Sequence, residues 1–295
     1  MKKFILIALI IFPLTAFGQK EYTVISEDQT KLSIREFGVG TPIVLLAGGP
    51  GLNTDYLKPV WENLGSNFRC IVLDQRGTPN SHVSSVDSVS MSMHNYLNDI
   101  ATLQEHLNLE QIVIVGHSWG GMLAMEYAAH HPKKVSKLIL IGSGGPTGNF
   151  FSYFGDNIYM RLNEDDLREA ARLDSMNQPT LKAIWPGYFY NRKMAIESKR
   201  KTDFDSMFGQ PDVLDFTFLN YMAGDNQRIK LLKNFTGQVE IIQGRQDPIG
   251  ESTVHEIINI LPQSNVTFIE RCGHLPWLEG EEPKQQFFTV LNNAL

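Results

Sequence analysis

Residues 112–121 read Ile-Val-Ile-Val-Gly-His-Ser-Trp-Gly-Gly, and this stretch decides the fold. Its first part is a short run of β-favouring apolar residues, which predicts a strand buried on both faces. A helical pattern begins directly after the last glycines. A strand, a tight turn and a helix are the context in which G-x-S-x-G forms a nucleophile elbow, with the serine hydroxyl above the strand end. We therefore predict Ser118 as a nucleophile, with the positive end of a helix dipole behind it.

The rest of the chain places similar strands and helices on either side of that stretch. An alternating pattern over residues 22–37 predicts an antiparallel hairpin. Further buried strands are predicted at residues 43–47, 69–73, 135–141, 239–242 and 266–269. Residues 146–235 lack this strand signal and mix aromatic, charged and helical runs. The pattern predicts an α/β fold, a doubly wound and mostly parallel sheet formed by 19–145 and 236–295, with a helical cap over 146–235.

The first 18 residues have the pattern of a secretory signal peptide. Two lysines precede an apolar run from residue 4 to residue 14, and small residues stand at Ala16 and Gly18. The run is shorter than the roughly 20 residues that span a bilayer, which argues against a membrane anchor. We expect cleavage before Gln19, export to the periplasm or the medium, and no stable membrane insertion afterwards.

Composition and charge exclude several classes of function. Hydrophobic residues make up 42% of the 295-residue chain and charged residues 20%, as in a globular protein with a core. The formal net charge is −6 and no basic patch is present, so nucleic acid is not an expected partner. Metal-binding and nucleotide-binding motifs are also missing, so no metal and no cofactor is predicted. Cys70 lies at the start of one predicted strand and Cys272 lies just after a different one, and we expect two free, buried thiols.

Two residues at strand ends complete the chemistry that a serine nucleophile needs. Serine attacks only when a base removes its proton, and that base needs an acid to orient it. Asp247 follows the predicted strand at 239–242, and His274 follows the strand at 266–269. We predict His274 as the general base and Asp247 as its orienting acid. Taken singly, Asp247 could instead cap the next helix and His274 could be a turn residue.

An acyl-transfer site also needs two fixed donors for the oxyanion. The backbone N–H of Trp119, the residue after the nucleophile, supplies one. The second is expected from residues 48–51, Gly-Gly-Pro-Gly, which follow a predicted strand. Gly49 is the predicted donor, since glycine lets the backbone approach a substrate closely and Pro50 has no N–H. A plain tight turn is the alternative interpretation of this loop.

The chain resembles the α/β-hydrolase superfamily and, within it, the prolyl iminopeptidase group of serine peptidases. The motifs that carry the resemblance are Gly48-Gly49-Pro50-Gly51, Asp74-Gln75-Arg76-Gly77, Gly116-His117-Ser118-Trp119-Gly120-Gly121, Gly244-Arg245-Gln246-Asp247 and Gly273-His274. The order Ser118, Asp247, His274 is that of the superfamily's triad. The resemblance implies release of an N-terminal residue, often proline, from short peptides without a metal or cofactor.

The chain differs from the iminopeptidase group at three places. Ala47 stands where that group usually has histidine, and residues 78–81 read Thr-Pro-Asn-Ser instead of a glycine-rich sequence. The group binds the substrate's ammonium with glutamates of the cap, and no cap residue of this chain matches them. The cap carboxylates that could replace them are Glu164, Glu169, Glu197, Asp212 and Asp225.

These observations leave three hypotheses for the function. The first is an exported serine hydrolase that forms an acyl-enzyme and acts as an iminopeptidase-like aminopeptidase on short peptides. The second is a carboxylesterase or lactonase that uses the same triad on a neutral ester. The third is a ligand-binding protein that keeps the fold and turns over weakly, although a receptor has no chemical need for the three triad residues.

Overall fold

The computed structural model of the protein describes residues 19–295, so the predicted signal peptide lies outside the described residues. Eight strands form one sheet. They are β1 (Lys20–Ile25), β2 (Lys31–Phe37), β3 (Thr41–Leu46), β4 (Phe68–Leu73), β5 (Ile112–His117), β6 (Val135–Ile141), β7 (Gln238–Gly244) and β8 (Ser264–Ile269).

The strand order is β1-β2-β4-β3-β5-β6-β7-β8. Strand β2 pairs antiparallel with β1 and with β4, and every other neighbouring pair is parallel. The hairpin and the mostly parallel sheet that the sequence predicts are thereby confirmed. The carboxyl ends of β3, β5, β6, β7 and β8 all meet at one edge of the sheet, where ligands bind in folds of this type.

Eleven α-helices accompany the described strands. They are α1 (Lys58–Leu64), α2 (Met93–His106), α3 (Trp119–His130), α4 (Phe151–Tyr159), α5 (Glu164–Ser175), α6 (Leu181–Ile184), α7 (Arg192–Lys201), α8 (Val213–Ala223), α9 (Asp225–Leu232), α10 (Glu251–Ile260) and α11 (Glu281–Ala294). Helices α4 to α9 lie between β6 and β7, within the segment for which the sequence predicts a helical cap.

A hydrophobic core covers each face of the sheet. Along β3, Val44 and Leu46 belong to one core, whereas Ile43 and Leu45 belong to the other. Successive side chains of a strand point to opposite faces, so a strand buried on both sides has to be apolar throughout. Helices α2, α3 and α10 pack on the first face, and α1 and α11 pack on the second. This double burial explains why β3 to β6 are recognisable as continuous apolar runs.

Both cysteines are free and buried, as the sequence predicts. Burial raises the pKa of the Cys70 thiol to about 12 and also raises the pKa of Cys272. Both thiols therefore stay protonated at neutral pH.

Over residues 19–295, no helix combines the length and the apolar composition that crossing a bilayer requires.

Candidate active site

Ser118 lies on a sharp, strained turn between β5 and α3. Its backbone has φ 53° and ψ −118°, a region that residues with a side chain rarely adopt. The turn fits because its neighbours lack side chains: a Cβ on Gly116 would lie 2.5 Å from the carbonyl oxygen of Gly120. A Cβ on Gly120 would collide with the backbone of Leu46 in β3. Close packing of strand, turn and helix therefore presents the Ser118 side chain above the sheet edge.

His274 and Asp247 form a buried pair next to this turn. The imidazole Nδ1 lies 3.0 Å from each carboxylate oxygen of Asp247, and both residues are 4% exposed. Strands β7 and β8, which precede the two residues, are neighbours in the sheet. The contact holds the Nδ1 proton toward Asp247, which leaves Nε2 to act as the base. His274 and Ser118 line the same cavity.

A carboxylate that sequence reasoning missed holds the loop that carries His274. Glu279 is 2% exposed and accepts the backbone N–H of Gly273 at 2.9 Å and that of Tyr190 at 2.8 Å. Burial raises the pKa of Glu279, although these N–H groups favour its charged form. The N–H of His274 itself donates to the carbonyl oxygen of Tyr188 at 2.7 Å. Residues of the cap segment thus fix the position of the proposed base.

The two predicted oxyanion donors belong to the two elements that adjoin Ser118, the glycine loop after β3 and the start of α3. Trp119 begins α3, and the first N–H groups of a helix have no partner within it. In the loop after β3, the N–H of Gly48 donates to Tyr56 Oη at 2.5 Å and Pro50 has no N–H. Gly49 and Gly51 are the other loop residues with an N–H, and Gly49, the predicted donor, has a φ of 69° that glycine adopts without strain. A Cβ on Gly48 would lie 2.6 Å from Ser118 Cβ, so the loop packs directly on Ser118.

Gln75 joins the two elements that carry these donors. Its side-chain amide donates to the carbonyl oxygen of Ala47 at 2.9 Å and accepts the indole N–H of Trp119 at 2.7 Å. The residue is 5% exposed. Gln75 belongs to the Asp74-Gln75-Arg76-Gly77 motif, which the sequence singled out without assigning it a role. The structure shows that this side chain ties the loop after β3 to the first turn of α3.

A cavity of about 650 Å³ opens in front of Ser118, and its wall is largely apolar. Aromatic and aliphatic side chains from the cap form most of that wall: Phe150, Phe151, Phe154, Leu181, Ile184, Trp185, Tyr188, Met207, Phe208, Val213, Leu214 and Phe218. Asp212 is the one carboxylate lining this cavity among residues 19–295, and it is exposed. The cavity therefore offers a large apolar surface and little negative charge.

The other cap carboxylates that the sequence offered do not line this cavity. Glu164 and Glu169 are exposed on α5, and Glu197 lines a separate cavity while pairing with Lys201 at 2.7 Å. Asp225 pairs with Arg228 at 2.9 Å and accepts the N–H of Gly148. Of the five candidates, the structure brings only Asp212 to the site.

A segment of the cap, residues 206–210, lies across the glycine loop; we call it the strap. The N–H of Asn53 donates to the carbonyl oxygen of Met207 at 2.9 Å, and the N–H of Gly209 donates to that of Gly51 at 2.8 Å. The side chain of Gln210 accepts the N–H of Val83 at 2.7 Å and donates to its carbonyl oxygen at 2.9 Å. The strap thus anchors the cap to the loop that supplies the predicted oxyanion donor.

Within residues 19–295, no group of three or more His, Cys, Asp or Glu side chains is placed to hold a metal ion. The arrangement that is present combines a serine on a strained elbow, a His–Asp pair and two backbone donors. Together the fold and this arrangement define the class of proteins built on the α/β-hydrolase fold.

Comparison with known proteins agrees with that class. A family model described as alpha/beta hydrolase fold matches residues 41–281, and the chain belongs to this family. The chain is 25% identical to a proline iminopeptidase of Heyndrickxia coagulans over 88% of its own length and 92% of that protein's. It is 31% identical to a cis-3-alkyl-4-alkyloxetan-2-one decarboxylase of Shewanella oneidensis, over 41% of this chain and 38% of that one.

Two further observations complete the comparison. For the decarboxylase and for a proline iminopeptidase of Lactobacillus acidophilus, the match spans only 38% and 35% of the relative's length. Among solved structures, a proline iminopeptidase-related protein from Thermus thermophilus superposes with a TM-score of 0.74 at 18% identity, covering 94% of this chain and 100% of that one. At this identity the superposition supports the fold alone. The resemblance to α/β hydrolases that the sequence motifs indicate is confirmed.

Proposed function

We propose that this protein is a serine hydrolase that works through an acyl-enzyme on Ser118. The Ser118 Oγ attacks the substrate's carbonyl carbon while His274 Nε2 takes the hydroxyl proton, and Asp247 stabilises the resulting imidazolium. The N–H groups of Gly49 and Trp119 donate to the oxyanion. His274 then gives its proton to the leaving group as the bond to the carbonyl carbon breaks. Water, activated by the same imidazole, releases the acid and restores Ser118.

The residues that line the cavity support our choice of substrate class. Its wall is largely apolar, and Asp212, the one carboxylate that lines it within residues 19–295, is exposed. A substrate ammonium placed among these side chains would lose its water without gaining buried counter-charges, which is costly. An apolar acyl group gains free energy from the same surface. The proposed substrate is therefore a neutral ester or lactone with an apolar acyl part.

An iminopeptidase-like aminopeptidase is the second candidate. It is supported by the sequence similarity to proline iminopeptidases over most of the chain and by the motifs around Ser118. In this version, Asp212 is the residue that would bind the substrate's free amine at the cavity rim.

Fluorophosphonate labelling tests the mechanism without knowledge of the natural substrate. The reagent should modify the wild-type protein, and Ser118→Ala should remove the modification completely, as intact-protein mass spectrometry would show. Ser136→Ala is a matched control, because Ser136 lies on β6 and its hydroxyl donates to the carbonyl oxygen of Ile112, outside the cavity. Labelling that persists in Ser118→Ala would contradict the proposal.

Paired substrates separate the two candidates. We expect turnover of p-nitrophenyl esters with apolar acyl groups, and rates within about twofold of wild type in Asp212→Asn, because a neutral substrate has no charge for Asp212 to bind. Asp215→Asn is the control, since Asp215 is exposed on α8 and does not line the cavity. The peptidase version predicts the opposite: cleavage of proline p-nitroanilide that is lost on N-acetylation of the substrate and reduced in Asp212→Asn alone.

A further inference from the structure

Tyr56 and His117 connect three parts of the active site through one chain of hydrogen bonds. The N–H of Gly48 reaches Tyr56 Oη at 2.5 Å, and Tyr56 Oη lies 2.8 Å from His117 Nδ1. At the other side of the ring, His117 Nε2 lies 2.9 Å from the carbonyl oxygen of His274. This chain of hydrogen bonds therefore runs from Gly48, in the loop after β3, through Tyr56 and His117 to the backbone of His274, the proposed base.

Only one placement of the protons gives every group in this chain of hydrogen bonds a suitable partner. The N–H of Gly48 can only donate, so the Tyr56 oxygen accepts it and directs its own proton to His117 Nδ1. His117 then carries its proton on Nε2, which donates to the carbonyl oxygen of His274. Burial raises the pKa of Tyr56, and burial together with the neighbouring His274 lowers the pKa of His117 well below 6.5. Both groups stay uncharged at neutral pH, which keeps this order of donors and acceptors.

The His117 side chain, in the middle of these hydrogen bonds, packs close to the residues that are proposed to react. The His117 ring lies 4.6 Å from the His274 ring and 4.9 Å from the Trp277 ring, measured between centroids. A Cβ on Gly48 would lie 3.0 Å from His117 Nδ1 as well as against Ser118. His117 is 3% exposed. A displacement of the imidazole would therefore be passed on to the glycine loop and to the loop of His274.

We propose that Tyr56 and His117 are positioning residues that hold the oxyanion loop and His274 in register with Ser118. The inference rests on the proposed serine-hydrolase function. Neither residue is assigned a proton transfer: His117 fixes the backbone of His274, and Tyr56 fixes the backbone of Gly48 next to the predicted donor Gly49. The parts so aligned come from three separate strand ends, and a misplacement of about 1 Å in such a site costs on the order of 100-fold in rate.

Tyr56→Phe removes the central hydroxyl and keeps the ring. We expect the maximal rate constant of modification by a fluorophosphonate to fall about tenfold to 100-fold, because alignment and not binding is lost. The concentration that gives half of that rate should stay within about twofold of wild type, since a ring of the same shape still lines the cavity. Tyr127→Phe is the matched control: Tyr127 is 1% exposed and donates to Gln104 Oε1 at 2.7 Å, outside the site.

The control separates alignment from stability. Tyr56→Phe loses two buried hydrogen bonds and Tyr127→Phe loses one, so both variants should unfold at a lower temperature than the wild type. Only Tyr56→Phe should lose rate. A wild-type rate in Tyr56→Phe, or equal rates in the two variants, would overturn the positioning role.

A second substitution tests whether the two residues act as a unit. His117→Leu should also slow modification by the fluorophosphonate. The double variant, Tyr56→Phe with His117→Leu, should react no more slowly than the slower single variant, because each substitution interrupts the same chain of hydrogen bonds. Rate losses that multiply would show independent roles and contradict the inference. Absence of labelling in the wild-type protein would instead contradict the proposed function, so the two failures are distinguishable.

Discussion

At the scale of single residues, a strained backbone conformation at Ser118 presents the hydroxyl that we propose as the nucleophile. A residue with a side chain in such a conformation costs on the order of 1–3 kcal/mol, which the surrounding packing has to offset. Gly116 and Gly120 permit that packing because a Cβ on either would collide with backbone atoms. The strained backbone therefore lies at the position where the Ser118 hydroxyl projects above the sheet edge.

A comparison of two substitutions measures this strain. We expect Ser118→Gly to be more stable than Ser118→Ala by about 1 kcal/mol, since glycine accepts a positive φ and the relief outweighs its extra entropy in the unfolded chain. At Ser136, which lies in β6, Gly should instead be less stable than Ala. Urea unfolding of the four variants gives both differences. Equal stability of the Ser118 pair would show that the turn is unstrained.

The sequence identified the residues whose place follows from strand ends, and it missed those that act across long distances. Ser118, Asp247 and His274 each follow a buried strand, so their meeting at one sheet edge could be predicted. The roles of Gln75 and Glu279 could not be predicted, because their partners lie in other loops and, for Gln75, also in α3. Nothing in the local pattern around them indicates those contacts.

At the scale of elements, Arg228 fastens the cap to the helix that follows Ser118. The side chain is fully buried and pairs with Glu126 of α3 and with Asp225. It also donates to the carbonyl oxygen of Pro146 at 2.7 Å and to that of Tyr221 at 2.6 Å. The Arg228 guanidinium thus joins the entry of the cap segment, α8 and α9 to α3.

Arg228→Met should be strongly destabilising. The substitution removes the arginine partner of the buried Glu126 carboxylate, which keeps only its contact with His130 at 3.2 Å, and breaking a buried pair costs about 3–5 kcal/mol. Adding Glu126→Gln should recover part of that loss, because the stranded charge is removed. Arg168→Met is the control, since Arg168 pairs only with exposed carboxylates on α5 and should change the unfolding free energy little. A change of similar size in both variants in guanidinium unfolding would contradict the role given to Arg228.

At the scale of the whole molecule, burial of His117 couples stability to pH. Its pKa in the folded protein lies well below 6.5, its ordinary value, because of burial and the nearby His274. Below about pH 6.5 the unfolded chain protonates this imidazole while the folded protein does not. The unfolding free energy should therefore fall with falling pH, by up to about 1.4 kcal/mol per pH unit from this group.

Replacement by an uncharged residue isolates the contribution of His117. In His117→Gln the unfolding free energy should depend less steeply on pH between pH 6.5 and pH 5, as urea unfolding at several pH values would show. His255→Gln serves as the control, since His255 is exposed on α10, and its slope should match the wild type. Identical slopes for all three proteins would show that His117 becomes protonated in the folded state.

The sequence by itself determined the sheet, the elbow and the order of the groups proposed to react. Period-two and continuous apolar patterns follow from burial on the two faces, and glycine spacing follows from backbone collisions at the turn. The cavity and the contacts that hold its walls in place follow only from the tertiary structure. Which cap side chains face Ser118 depends on how α4 to α9 and the strap fold back over the sheet edge, and local patterns do not encode that direction. For the same reason only the folded chain shows Asp212 as the single carboxylate along the described cavity wall, and Tyr56 beside His117.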